Sequence, residues 1–410
     1  MRSWLRAAFL LSFLSLTHAS KEQPATPEQQ EGAELWRIGF GSCHQQYKPT
    51  PIFDSIISSN VSAFAFLGDA VYNDYDDCQG FWNKPCGIFR RYAVRVREVK
   101  RALRLLWLGG NKEKAAAANL DESYAVLGVK LSKLKFCEKV DTVATWDDHD
   151  YGENDAGSEL PWKEESAALF TKFWSSVSPR MAAAMSSQQE CPQSFGGTRG
   201  VYTSHDFGKD PETTARLILL DARTARTELT KLGTVKGEED YIPTYDPNAR
   251  VLSEEQWQWF EAELFRPGAA LLIVGSGTQV LRDANMCEHW DNFPKEKERL
   301  LRLIESASSS RGIPVVIISG DVHYSELSKH STHGWLFDAT SSGLTETWPE
   351  PHPNLARVDG DASVVTEPNF GVLVVDWISR QLTVEFHDEL GLLRYAKSLK
   401  FNDITAPRAR

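Results

Sequence analysis

Short apolar runs, each closed by polar or charged residues, recur along this chain and constrain its fold more than any other feature. Trp36 to Phe40 runs into Gly41-Ser42-Cys43-His44, and Val61 to Leu67 into Gly68-Asp69. Val140 to Thr145 runs into Trp146-Asp147-Asp148-His149-Asp150. Leu217 to Leu220 runs into Asp221-Ala222-Arg223, and Leu271 to Val274 into Gly275-Ser276-Gly277. Val315 to Ile318 runs into Ser319-Gly320-Asp321-Val322-His323. Runs of β-branched and aliphatic residues this short, ending in turn signals, predict buried strands.

Helical segments separate them. Ser253 can cap a helix through Trp257, Phe260 and Leu264, with Gln256 completing a capping box. Phe293 to Ala307 and Pro161 to Trp174 predict two more. Strand–helix alternation argues an α/β sheet. The tail differs: Phe370 to Val375 and Leu382 to Phe386 flank a turn near Ser379-Arg380 and predict a hairpin, so the sheets should be mixed. The polar residues follow the strands, at the edge where open α/β sheets gather sites from distant parts of a chain.

The 410 residues are 41% hydrophobic and 25% charged, an ordinary globular composition. A net charge of -11 argues against nucleic-acid binding, and a site for anions would need local positive charge, most simply metal ions. Arg2 and Arg6 precede an apolar stretch, Ala7 to Leu16, followed by Thr17, Ala19 and Ser20. That layout predicts a signal peptide over 1–19, a polar lead-in over 20–34 and a folded body over 35–402. The apolar stretch is short for a membrane anchor. The expected compartment is extracellular or the endomembrane lumen, where some of the 6 cysteines should pair. Cys78 and Cys86, flanking a short loop, are the easiest pair, and Asn60-Val61-Ser62 is a glycosylation sequon.

The strand ends carry the chemistry. In Gly68-Asp69-Ala70-Val71-Tyr72, an Asp69 carboxylate can bridge two cations and a Tyr72 phenolate suits a trivalent one; the plain alternative is a turn with a satisfied tyrosine. Asp147, Asp148, His149 and Asp150 crowd one strand end, with Asn154 nearby, a density that is costly unless cations or hydrogen bonds offset it. Asp321 and His323 can face the same way in extended chain, and imidazole with carboxylate suits a transition metal. Cys43 is either half of a disulfide or, as thiolate, a metal ligand. Arg223 and Arg226 either grip phosphate or pair with acids to stiffen their loop.

Taken in order, FGSCHQQ, FLGDAVYNDY, VATWDDHDYGENDAG, ILLDARTART, GSGTQV, IISGDVHYSEL and DATSSGLTETW resemble the PhoD-like phosphatases, from Phe40 to about Trp348. The resemblance implies the calcineurin-like metallophosphoesterase fold: an α/β layered sandwich of two mixed sheets flanked by helices. It implies a dinuclear centre of ferric iron (Fe3+) and calcium (Ca2+), the second metal being the less certain from sequence. Cys43, Asp69 and Tyr72 fall at iron-site positions, with Asp69 shared. Asp148 and Asn154 compete for one position at the second metal. Asp321 and His323 fall in the last metal-binding loop. His149 falls where related enzymes set a histidine against the substrate oxyanion, with Arg223 or Arg226 steadying the transferring group. Some bacterial relatives carry an extra β-rich domain first, for which the stretch before Trp36 leaves no room. The implied reaction is hydrolysis of a small phosphate ester. The rivals are a phospholipase D-like phosphodiesterase on the same fold and a metal-containing binding protein without turnover.

Overall fold

The apolar runs become strands whose order decides where their polar ends meet. The computed structural model describes residues 35–73, 99–189, 200–235, 238–282 and 287–408. In chain order the strands are β1 (Trp36–Gly41), β2 (Ala63–Leu67), β3 (Asp141–Thr145), β4 (Thr203–Phe207), β5 (Ala215–Leu219), β6 (Thr230–Val235) and β7 (Glu238–Ile242). Then come β8 (Leu271–Gly275), β9 (Val315–Ser319), β10 (Ser325–Lys329), β11 (Phe337–Ser341), β12 (Asn369–Asp376), β13 (Gln381–Asp388) and β14 (Leu393–Lys400). One 6-stranded sheet has the order β14-β13-β12-β1-β2-β3, the other β10-β11-β9-β8-β5-β4, and β6 with β7 forms a small ribbon.

Both large sheets are mixed, as the tail hairpin suggested. β1, β2 and β3 are parallel, as are β5, β8, β9 and β11. The remaining strands of these sheets, β4, β10, β12, β13 and β14, pair antiparallel. The parallel strands are buried on both faces, which is why they read as unbroken apolar runs. In the second sheet Leu217, Leu219, Ile273, Val316 and Ile318 join the core shared with the first sheet. Their neighbours Ile218, Leu272, Val274, Val315 and Ile317 turn outward onto Trp257, Phe260, Leu300 and Ile304. Those last four lie on helices Glu254–Phe265 and Pro294–Arg311. On the first sheet Phe66 packs against Phe53, Phe136 and Trp174.

The expected helices form, the third as Lys163–Val177. Ser253 caps its helix by accepting from the Gln256 N–H at 3.1 Å. The capping box fails, because Gln256 turns away to hold Asp221: its Nε2 donates to the Asp221 carbonyl at 2.9 Å and its Oε1 accepts the Asp221 N–H at 2.8 Å. Helix Lys112–Leu134, the longest among the described residues, has no counterpart in the sequence reading. Its stretch Ala115 to Ala118 reads as apolar without a clear face. The signal peptide, the lead-in and the Cys78–Cys86 pair lie outside the described residues.

The parallel strands of both sheets deliver their ends to one place. A single parallel bridge joins Ser42, just past β1, to Ser342, just past β11. It ties the two sheets together at the edge where the polar loops emerge.

Candidate metal centre

Tight backbone contacts bring the loops together. Gly68 has φ +93°, and a Cβ there would run into the backbone and Cβ of Asp147. A Cβ on Gly320 would likewise strike Ser42. The glycines of the two Gly-Asp pairs therefore let the β2 loop close on the β3 loop and the β9 loop on the β1 loop. Backbone strain collects at the same place: Cys43, Asp69, Asp321 and His323 have φ of 62°, 49°, 80° and 65°. Non-glycine residues occupy that region rarely and at a cost, and the surrounding structure must hold them there.

The donors converge on Asp69. Cys43, Asp69 and His323 each bring a ligand atom within 4.8 Å of the others. Asp69, Asp148 and His149 do the same, as do Asp69, Asp147, Asp148 and Asp321. Asp69 belongs to all three groups, the position a bridging carboxylate needs. The Tyr72 hydroxyl stands 3.1 Å from His323 Nε2 and 3.5 Å from Asp69 Oδ2. Cys43 Sγ is 3.5 Å from the same oxygen, and Cys43 is a free thiol. His149 donates its backbone N–H to Asp69 Oδ1 at 3.2 Å, and its ring lies 4.2 Å from the Tyr72 ring. His149 is buried, at 8% exposure, whereas Asp321 and His323 are partly exposed.

Electrostatics show that this cluster is incomplete by itself. Burial, and next the Asp148 charge, push Asp69 well above the usual carboxylate range. Burial and then Asp147 and Asp148 do the same to Asp321. Burial and then Asp69 raise the Cys43 thiol, while burial and then Cys43 raise the Tyr72 phenol. Burial drives the His323 imidazole down to about 3, so it is neutral, as a metal ligand must be. Asp148 differs: burial pushes it up, but His149 and Arg223 outweigh that and hold it below the usual range. These residues cannot all ionise without cations, and bound cations reverse this pattern. The carboxylate, imidazole, thiol and phenol set therefore fits a pair of hard or borderline metal ions.

Other expected residues are placed differently. Arg223 is fully buried and contacts Asp147 Oδ1 at 2.5 Å and Glu288 Oε2 at 2.6 Å. Arg226 reaches Glu288 Oε1 at 3.0 Å and also donates to the Asp155 carbonyl. Both guanidiniums thus face carboxylates and brace the loop, the second of the two roles their pattern allowed. Asn154 is exposed and donates to Asp155 Oδ2 at 2.8 Å, whereas Asp148 lies inside the donor cluster. Asp150 locks two loops, accepting the Asp147 N–H at 2.7 Å and the Ala70 N–H at 3.2 Å. Asp147 was legible only as one member of a crowded run. Glu288 carries no sequence signal; it reaches Arg223 through a loop after β8.

A frame of this kind, two mixed sheets meeting over a donor cluster at their strand ends, is that of the metallophosphoesterases. A solved structure of PhoD superposes on 90% of this chain and 70% of its own, with TM-score 0.59 and 14% identity, which establishes the fold. A purple acid phosphatase, PPD1, from yellow lupin (Lupinus luteus) seeds aligns over 90% of this chain and 55% of its own at TM-score 0.49 and 12% identity. The family comes from the sequence: the PhoD-like phosphatase model matches residues 38–349, and the chain belongs to that family. Alkaline phosphatase D of Bacillus subtilis (strain 168) is 27% identical over 216 residues, covering 49% of this chain. The match spans about a third of that protein's length, 34%.

Proposed function

We propose that this chain is a secreted phosphoesterase that hydrolyses small phosphate esters at a two-cation centre, ferric iron beside calcium. The observation that carries the reading is Asp69, common to three donor groups whose ligand atoms lie within 4.8 Å of one another. Cys43, Asp69, Tyr72 and His323 would hold the iron, since thiolate and phenolate donate strongly to a trivalent ion. Asp69, Asp147, Asp148 and Asp321 would hold the second ion. Such a pair, when bound, supplies positive charge for phosphoryl oxygens and an acidified water as nucleophile.

The chain's own residues do the rest. Arg223 fixes Asp147 from behind, and Asp150 ties the β2 and β3 loops, so the donors are set before a ligand arrives. His149, held by its backbone to Asp69 and packed on Tyr72, would donate a proton to the ester's oxygens. Secretion rests on the basic, apolar and small residues of 1–19; no helix among the described residues is long and apolar enough to cross a membrane. The deciding experiment is metal analysis of protein purified without chelators, with monoester and diester turnover measured on the same sample. Iron with monoester hydrolysis supports the reading. A diester preference would favour the phosphodiesterase, and bound metal without turnover the binding protein.

A further inference from the structure

Arg282 lies just beyond the β8 loop, and nothing said so far uses it. It is 3% exposed, and none of its three guanidinium nitrogens has a hydrogen-bond partner among the described residues. A buried guanidinium without a partner is among the costliest arrangements a fold can hold. Its surroundings are rigid: Asp338 Oδ2 accepts the N–H groups of Val280 at 3.0 Å and Leu281 at 2.9 Å, fixing the backbone that leads into it. The carboxylate that could have answered it is taken. Glu326 accepts from Arg357 at 2.6 Å, Asn354 at 2.6 Å and Gln279 at 2.9 Å.

A second donor sits beside it. Tyr324 is fully buried and its hydroxyl also lacks a partner among the described residues, and the 2.9 Å bond from Gln279 to Glu326 sets the segment of Arg282 against that of Tyr324. Tyr324 directly follows His323, and Thr278, on the same loop as Arg282, stands 3.5 Å from Asp321 Oδ2. Asp321 is partly exposed, so this end of the donor cluster reaches the surface. Cys287 Sγ stands 3.6 Å from His352 Nε2, whose ring lies 5.2 Å from that of Trp348.

We propose that Arg282 and the Tyr324 hydroxyl form an oxyanion-binding pair that holds a phosphate group of the ligand beside the Asp321–His323 loop. This rests on the phosphoesterase reading and adds to it the side chains that grip the anion. A guanidinium fork matches two phosphate oxygens, and the phenol supplies a further donor. Arg223 and Arg226 face carboxylates, whereas the donors of Arg282 are uncommitted among the described residues.

The test uses metal-replete, full-length protein and inorganic phosphate, measured by calorimetry, with metal content and thermal midpoint recorded for each variant. Arg282→Gln should weaken phosphate binding by roughly tenfold to a hundredfold, and Tyr324→Phe by up to about tenfold. Arg282→Lys, which keeps the charge but not the fork, should fall between wild type and Arg282→Gln. Metal content should not change. Without phosphate, Arg282→Gln should melt no lower than wild type, because it removes an unanswered buried charge. The KM for a phosphate monoester should rise by a factor similar to the loss in phosphate affinity, showing that the ester's own phosphate is gripped. Phosphate affinity in Arg282→Gln within about twofold of wild type, with metals intact, overturns the proposal, as does a drop of several degrees in its ligand-free midpoint. If wild type turns over esters while Arg282→Gln keeps its affinity, only this inference falls. If wild type neither binds phosphate nor turns over any ester, the phosphoesterase reading falls first.

Discussion

The two ends of β5 use the same residue types to opposite purposes. At its start, Arg216 is fully buried and fully answered. It donates to Asp206 at 2.7 and 2.9 Å and to the carbonyls of Glu263, Arg266 and Pro267 at 3.1, 2.6 and 3.0 Å. At the other end, where the strand enters the site, Asp69, Asp147 and Asp321 crowd together with pKa values pushed up, and Arg282 nearby has no partner among the described residues. A region complete in itself stabilises the fold. A region left incomplete is organised around something the chain does not supply.

The largest effect should come from the incomplete end. Asp69→Asn removes an anionic donor shared by three groups, so metal content should drop and turnover should fall by more than the roughly hundredfold that an outer partner costs. Wild-type metal content and rate in this variant would remove Asp69 from the centre. Next, His149→Ala should cut turnover on the order of a hundredfold while keeping both metals, whereas His323→Ala should lose one. The reverse pattern of metal loss would exchange the two roles. Tyr72→Phe separates colour from catalysis: a ferric phenolate absorbs visible light, and the variant should be bleached. Purified wild type that is colourless, active and free of iron would refute that assignment.

The closed end should respond in stability and not in chemistry. Arg216→Ala leaves Asp206 short of its main partner and several carbonyls without a donor. It should cost about 3 kcal/mol, at the low end for a broken buried pair because Asp206 also contacts Arg266. Urea midpoints measure this, and turnover per folded molecule should hold; a drop in rate at unchanged stability would erase the contrast. The smallest effect concerns His205, on β4 beside this end, which burial drives down to about 3. Between the unfolded value near 6.5 and 3, the unfolded chain binds the proton and the folded chain does not. The stabilisation is therefore present above about pH 6.5 and is lost as pH falls through that window, by at most about 1.4 kcal/mol per unit. The stability difference between wild type and His205→Gln should shrink accordingly from pH 7 to pH 4. A difference independent of pH would mean that His205 takes up its proton in the fold at the same pH as in the unfolded chain.

The sequence by itself determined β1, β2, β3, β5, β8, β9, β12 and β13, the mixed character of the sheets and the loops that carry the candidate ligands, while β4, β6, β7, β10, β11 and β14 were not legible in it. Two-sided burial writes a parallel strand as an unbroken apolar run, and the residues that follow are marked because carboxylates and imidazoles are expensive there unless used. Local spacing likewise announced the Ser253 cap. Only the tertiary structure decided what each side chain meets. Gln256 fits a capping box by spacing, yet it holds Asp221, because a neighbouring loop offers both a donor and an acceptor. Arg223 and Arg226 could have faced a ligand or an acid, and Glu288, 65 residues from Arg223, settled that they face acids. Arg282 looks like any arginine in a loop; that it is buried without an answer follows from Asp338 pinning its backbone while Arg357 occupies Glu326. Pattern along a chain reports burial and direction, which are properties of one segment. Pairing is a property of two segments, and it exists only once the fold has brought them together.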